Sequence, residues 1–304
     1  MKNILSFLTV LFIFSLFFPA CSSKNGKISS LQATEKGDQI AQEEVIFTEK
    51  KVVASPDGKP TEYQYVFKNK VIAKEILNEK YEIVSVEGEI PNGLIKEYNI
   101  EGKLISEKNY NAGKLEGVNK TYYSDGTTVA TVKNYKNGVL EGKVFEYYEN
   151  GNKKLEANYK NGLLNGILKK YSTAGTLLSS ANYTDGKMDG LYKEFFVTGK
   201  PKKEIEYYNG LKEGYSKEYF SNGTLKYQYN YSQDKLEGDS QIYYEDGSIN
   251  EVQKYKNNKL NGDTKIYSNN NSEIPLYIDT YVNGKKTMRR AFSSKGIQIF
   301  KVKY

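Results

Sequence analysis

Gly142-Lys-Val-Phe-Glu-Tyr-Tyr-Glu-Asn-Gly151-Asn-Lys-Lys-Leu-Glu-Ala-Asn-Tyr-Lys-Asn-Gly162-Leu-Leu-Asn165 is the stretch that decides the fold, because Gly166 starts the same pattern again. Two turn signals, Asn150-Gly151 and Asn161-Gly162, bracket runs of about six residues rich in aromatic and β-compatible side chains. Asn-Gly and Asp-Gly suit tight hairpin turns because both residues tolerate positive φ. One such unit is a hairpin, and hairpins joined by turns make a meander.

The unit recurs. Gly93, Gly117, Gly142, Gly166, Gly190, Gly214, Gly238 and Gly262 are separated by 24, 25, 24, 24, 24, 24 and 24 residues, a period that marks a tandem repeat. Asp125-Gly126, Thr198-Gly199, Asn222-Gly223 and Asp246-Gly247 end the first strand of other units; Asn137-Gly138, Asp185-Gly186 and Asn209-Gly210 end the second. Asp234, Asn258 and Asn271 stand where the glycine is missing, keeping a residue tolerant of the left-handed region. On this reading the clock glycines, like the others, serve turns.

Side-chain parity follows. Five residues after each clock glycine stands an aromatic: Tyr98, Tyr122, Tyr147, Tyr171, Phe195, Tyr219, Tyr243 and Tyr267. A second aromatic closes the other strand at Tyr110, Tyr135, Tyr159, Tyr183, Tyr207, Tyr231, Tyr255 and Tyr281. Leu115, Leu140, Leu164, Met188, Leu236 and Leu260 precede the next glycine by two, with Lys212 the exception. Alternation with period two lets such rows form ladders along the array. Lys96, Lys120, Lys169, Lys193, Lys217 and Lys265 share the face of the first aromatic row, and Glu97, Glu146, Glu194 and Glu218 of opposite parity offset their charge.

The pattern of Gly, four residues, Tyr-Tyr, a polar-Gly turn and Tyr-Lys-Asn-Gly-x-Leu-x-Gly resembles the variant MORN repeat of bacterial proteins, over eight units from about 85 to 288. The last unit departs from it, with Asn269-Asn270-Asn271 and a stretched second strand. The resemblance implies an all-β, elongated array of antiparallel hairpins in one continuous twisted sheet, as the residues do by themselves. Residues 43–84 read as a degenerate N-terminal cap, with a turn at Pro56-Asp57-Gly58 and a closure at Phe67-Lys68-Asn69-Lys70; an independent small β domain is the alternative. Residues 289–304 read as a C-terminal cap strand.

The start of the chain is not fold. Met1-Lys2, an apolar run from Ile4 to Phe18, and Pro19-Ala20 make a secretory signal over residues 1–20. Phe18-Pro19-Ala20-Cys21 resembles the lipobox of bacterial lipoproteins, with Phe18 where Leu is usual, which implies a lipid on Cys21; a plain signal peptide is the alternative. Residues 21–42 are polar and aperiodic, as a tether is. A lipid at its end holds a body at a membrane without a spanning helix.

Chemistry is sparse. The 304 residues contain no His, one Cys and no Trp, but 28 Tyr. Without His there is no Ser/His or Cys/His nucleophile pair, and one Cys makes neither an internal disulfide nor a thiolate zinc site. Neighbouring acids such as Glu43 and Glu44 point to opposite faces of a strand. A net charge of +7 from 44 basic and 37 acidic residues, interspersed, argues against nucleic acid. No enzyme activity, metal or cofactor is expected. Gly117, Gly142, Gly166, Gly190, Gly214, Gly238 and Gly262, with Tyr122, Tyr147, Tyr171, Tyr219 and Tyr243, read as repeat framework. Contact with a partner is expected where units differ, at Tyr123, Tyr148, Phe196, Phe220 and Tyr244, which read as an interrupted exposed row. The leading function is a lipid-anchored envelope scaffold that binds another protein or an envelope polymer. An antitoxin role, which the family resemblance implies, and surface carbohydrate binding are the alternatives.

Overall fold

The computed structural model describes residues 46–269 and 273–304. Cys21, the segments 1–20 and 21–42 expected to be a signal and a tether, and Asn271 lie outside the described residues. Every strand described belongs to one open sheet, and no helix interrupts it.

The expected hairpins form. In the second turn of each unit, Asn161 has φ of 50° and Gly162 of 79°, so both central residues are left-handed and the two strands join through a two-residue loop. Asp234 and Asn258 take φ of 63° and 65° where glycine is absent. The first turn is built differently. Gly151 N donates to Tyr148 O, and Tyr148 N to Asn152 O, closing a longer loop. There only the glycine is left-handed, while the Asn150 side chain accepts from Asn152 N at 3.0 Å. The Asn of that pair is therefore a side-chain cap and not a second positive-φ residue.

The clock glycines do not sit in turns, which corrects the reading of Gly117, Gly142, Gly166, Gly190, Gly214, Gly238 and Gly262. Each lies inside a strand, where a bulge separates a short piece such as Leu163–Leu164 from the main strand Gly166–Tyr171. Their φ values run from 66° at Gly117 to 115° at Gly262. A bulge of this kind needs one left-handed residue and bends the strand. The Asn one position before the closing Tyr supports it: Asn158 Nδ2 donates to Asn165 O at 2.7 Å and Asn134 Nδ2 to Glu141 O at 2.8 Å. At Gly190 a Cβ would lie 2.9 Å from Asn182 Nδ2, so a side chain there would collide with this neighbour.

The meander has one reversal. Strands β1 (Thr48–Ala54), β2 (Pro60–Phe67), β3 (Lys70–Leu77) and β4 (Ile83–Gly88) run antiparallel in sequence. Strand β5 (Gly93–Tyr98) then pairs in parallel with β1, not with β4. From β5 onward each main strand pairs with the next, through Leu104–Asn111 to Gln298–Lys303, while two-residue pieces such as Leu163–Leu164 pair only with the strand before them. The order is thus β4-β3-β2-β1-β5 and onward, with β4 and Gln298–Lys303 as the two edges. Strand β4 spans the 84/85 boundary drawn from sequence. The C-terminal end is a hairpin, Lys285–Phe292 with Gln298–Lys303, where one strand was expected.

Packing is thin. Tyr65, Ala73 and Ile95 form a buried cluster with Tyr110 against it, at the reversal. Along the array Val144, Ala157, Ala181 and Ile205 continue a buried line, as do the polar Asn119, Ser216, Ser240, Thr264 and Asp279.

Candidate functional site

The register separates the two aromatic rows. Gly142 stands opposite Tyr159, Val144 opposite Ala157 and Phe145 opposite Glu156. By alternation the closing tyrosines share a face with the glycine and the buried line, while the row of Tyr147 shares the other face with Phe145. The ladders therefore lie on opposite faces.

The face of the Tyr147 row is an ion-paired surface. Lys96 and Lys120 each lie 3.6 Å from Glu107, and Lys193 lies 3.4 Å from Glu204. Tyr219 donates its hydroxyl to Glu204 at 3.0 Å. Burial, with Glu107 beside Tyr122 and Glu204 beside Tyr219, pushes both phenols up to about 12. Lys96, Lys120 and Lys193 of the lysine row are thus neutralised by glutamates of neighbouring strands on their own face. Glu97 and Glu194, expected to offset it, lie on the other face and are paired there with Lys108 and Lys202, each at 2.7 Å.

That other face is charged at both ends. Near the reversal Lys50 bonds Glu75 at 2.7 Å, Tyr65 donates to Glu75 at 3.0 Å, and Lys108 holds Glu97. Burial alone would raise the Glu97 pKa, but bonds from Lys108 and Ser106 bring it below the usual carboxylate range. At the far end buried Asp279 takes both Arg289 nitrogens at 2.7 Å and Lys286 at 2.7 Å. The Arg289 bonds hold its carboxyl low.

Between the ends the same face opens into a groove of about 480 Å³, lined by Leu168, Tyr183, Met188, Tyr192, Ile205 and Tyr207, with Lys170, Lys203, Lys212 and Glu194 among them. Tyr192 occupies a position held by Val144 or Ser216 in other units, and Lys212 replaces the repeated Leu. Burial raises the Tyr192 and Tyr207 pKa above the ordinary phenol value. In the next unit Tyr227 and Tyr229 stack at 5.7 Å, and Lys212 reaches within 5.0 Å of the Tyr231 ring. Aromatic walls with ammonium groups around them suit a flat or extended ligand carrying negative charge. Further along, the buried Ser240 and Thr264 hydroxyls make no hydrogen bond among the described residues.

The residues expected to make contact lie elsewhere. Tyr123, Tyr148, Phe196, Phe220 and Tyr244 are half-buried, not an exposed row. Tyr123 donates to Tyr147 O at 2.5 Å, Tyr148 to Tyr171 O at 2.8 Å and Tyr244 to Tyr267 O at 3.0 Å. Each hydroxyl staples its unit to the main chain of the next. Phe196 and Phe220 hold the same place without the hydroxyl. Sequence reasoning passed over Tyr192, Tyr227 and Tyr229; the available signal was an aromatic where most other units carry an aliphatic or polar side chain. Lys212 was legible as a break in the leucine row.

Among the described residues no group of His, Cys, Asp and Glu is placed to hold a metal. No helix there is long and apolar enough to cross a membrane.

Fold and groove together define an open hairpin-repeat array of the binding-scaffold class. The model of the MORN repeat variant matches residues 140–161, 212–233 and 236–257, so the chain carries that repeat in these three units. The unmatched stretch between them contains Leu168, Met188, Tyr192 and Lys203 of the groove. None of the curated proteins matches the chain. Among solved structures it is similar to a chain of the "Crystal Structure of TcdB2-TccC3-Cdc42", with 12% identity and a TM-score of 0.20. That match covers 83% of this chain and 16% of that one, so this chain spans about a sixth of its length.

Proposed function

We propose that the protein is a non-enzymatic scaffold of the bacterial cell envelope, anchored through a lipid on Cys21, that binds a partner protein or an acidic envelope polymer along its groove face. The observation that carries the binding part is the gathering of Tyr192, Tyr227, Tyr229 and Lys212, all departures from the repeat, on one face between two charged ends. Framework residues recur because folding requires them, whereas residues that break the period are free to serve contact. The anchoring part is supported by the apolar leader followed by the chain's single cysteine.

Two measurements test it. Labelled palmitate should attach to the wild-type protein and not to Cys21→Ser, and globomycin should block processing; unlabelled wild type refutes anchoring. A photo-crosslinking amino acid at Tyr192 should capture an envelope component that the same group at Phe145, on the opposite face, does not. Equal capture from both faces refutes the groove.

A further inference from the structure

We propose that the protein associates head to tail with copies of itself, the free edge of its last strand adding to the free edge of β4. Both edges are unpaired among the described residues: β4 pairs only with β3, and Gln298–Lys303 only with Lys285–Phe292. An unpaired strand edge presents a row of main-chain donors and acceptors, and soluble proteins usually cover or blunt it. Neither edge strand contains a proline, and each carries a single bulge, at Val84 in β4 and at Ile299 in the last strand, with the rest of the strand in regular register. All six residues of each strand are exposed. On β4, Val84 is 60% and Val86 50% exposed; on the last strand, Ile299 is 64% and Val302 44% exposed. These are apolar residues on strands with a neighbour on one side only, the condition that favours strand addition.

Charge selects which edges meet. The segment of β4 and its flanks carries Glu79, Glu82, Glu87 and Glu89 against Lys80, while residues 293–304 carry Lys295, Lys301 and Lys303 and no acid. Glu87, Glu89, Lys301 and Lys303 form no ion pair among the described residues. Two β4 edges repel, as do two C-terminal edges, and only the unlike pair attracts. The occupant of each edge is therefore a second copy of this chain in the same order. Such a contact is heterologous, so it builds a line of copies, extending the sheet from molecule to molecule. The groove plays no part in this contact, so its failure leaves the proposed function standing, and the reverse.

The test is sedimentation of the full chain in mild detergent over a wide range of concentration. Wild type should give a concentration-dependent series of oligomers. Reversing one edge, Glu87→Lys with Glu89→Lys, should weaken association by at least about tenfold, as should Lys301→Glu with Lys303→Glu. Joining all four substitutions should restore it. Circular dichroism confirms that each variant keeps its sheet, and the restored quadruple variant separates edge recognition from misfolding. A wild-type monomer at all concentrations overturns the proposal. So does a closed dimer indifferent to the lysine reversals, which would mean that β4 meets β4, and so does a quadruple variant that stays apart.

Discussion

Removing the Tyr148 hydroxyl tests how neighbouring units are coupled. Its bond to Tyr171 O is 2.8 Å long and half-buried, and it reaches across 23 residues into the next unit. A net protein hydrogen bond contributes about 0.5–1.5 kcal/mol, and a half-buried carbonyl can partly rehydrate, so Tyr148→Phe should cost about 1 kcal/mol. That corresponds to roughly a fivefold rise in the local opening constant. In a repeat array the loss appears at the interface of the two units and not across the whole chain. Hydrogen exchange read by mass spectrometry should therefore accelerate about fivefold in peptides spanning 147–171, with little change beyond 240. The reciprocal change uses units where the hydroxyl is missing. By repeat equivalence Phe196→Tyr reaches Tyr219 O and Phe220→Tyr reaches Tyr243 O, and each should slow exchange there by a similar factor. Unchanged exchange in Tyr148→Phe together with Phe196→Tyr would refute the staple.

Other outcomes follow from the charged ends and the bulges. Asp279→Asn leaves Arg289 and Lys286 without their carboxylate; since both partners are partly solvated, about 2–3 kcal/mol should be lost, seen as faster proteolysis of the C-terminal hairpin. Because the Asp279 and Asp263 pKa values are depressed in the fold, their stabilisation is complete above the ordinary carboxylate pKa and disappears as pH falls through the lower folded values, so exchange in residues 277–304 should rise below about pH 4. The Tyr122 and Tyr219 phenols are raised to about 12, so their contribution is complete below about pH 10 and is lost between there and about 12, a late step in tyrosinate absorbance that Glu107→Gln and Glu204→Gln should move earlier. Gly190→Ala combines a φ of 107° with contact to Asn182 and should cost about 1–3 kcal/mol in chemical denaturation; adding Asn182→Ala should recover only the contact part.

The hairpin turns and the period were legible because they are local. Asn161-Gly162 adopts its turn from its own backbone preferences, and a copied unit must fold as its neighbours do. The role of the clock glycines was not, since a turn and a bulge ask the same positive φ of one residue, and only the strand pairing at Gly142 and Tyr159 distinguishes them. The bond made by Tyr148 was hidden for the same reason. The variability of that position was visible, but the acceptor at Tyr171 O comes into reach only when the units stack.

By itself the sequence determined an all-β repeat array without a histidine, because turn propensity, alternation and composition are properties of short stretches. Tertiary structure decided which face each ladder occupies, the parallel return of β5 to β1, the groove at Tyr192 and Lys212, and the two unlike edges. Each of these depends on strand register, and register is set by pairing between residues far apart in the chain.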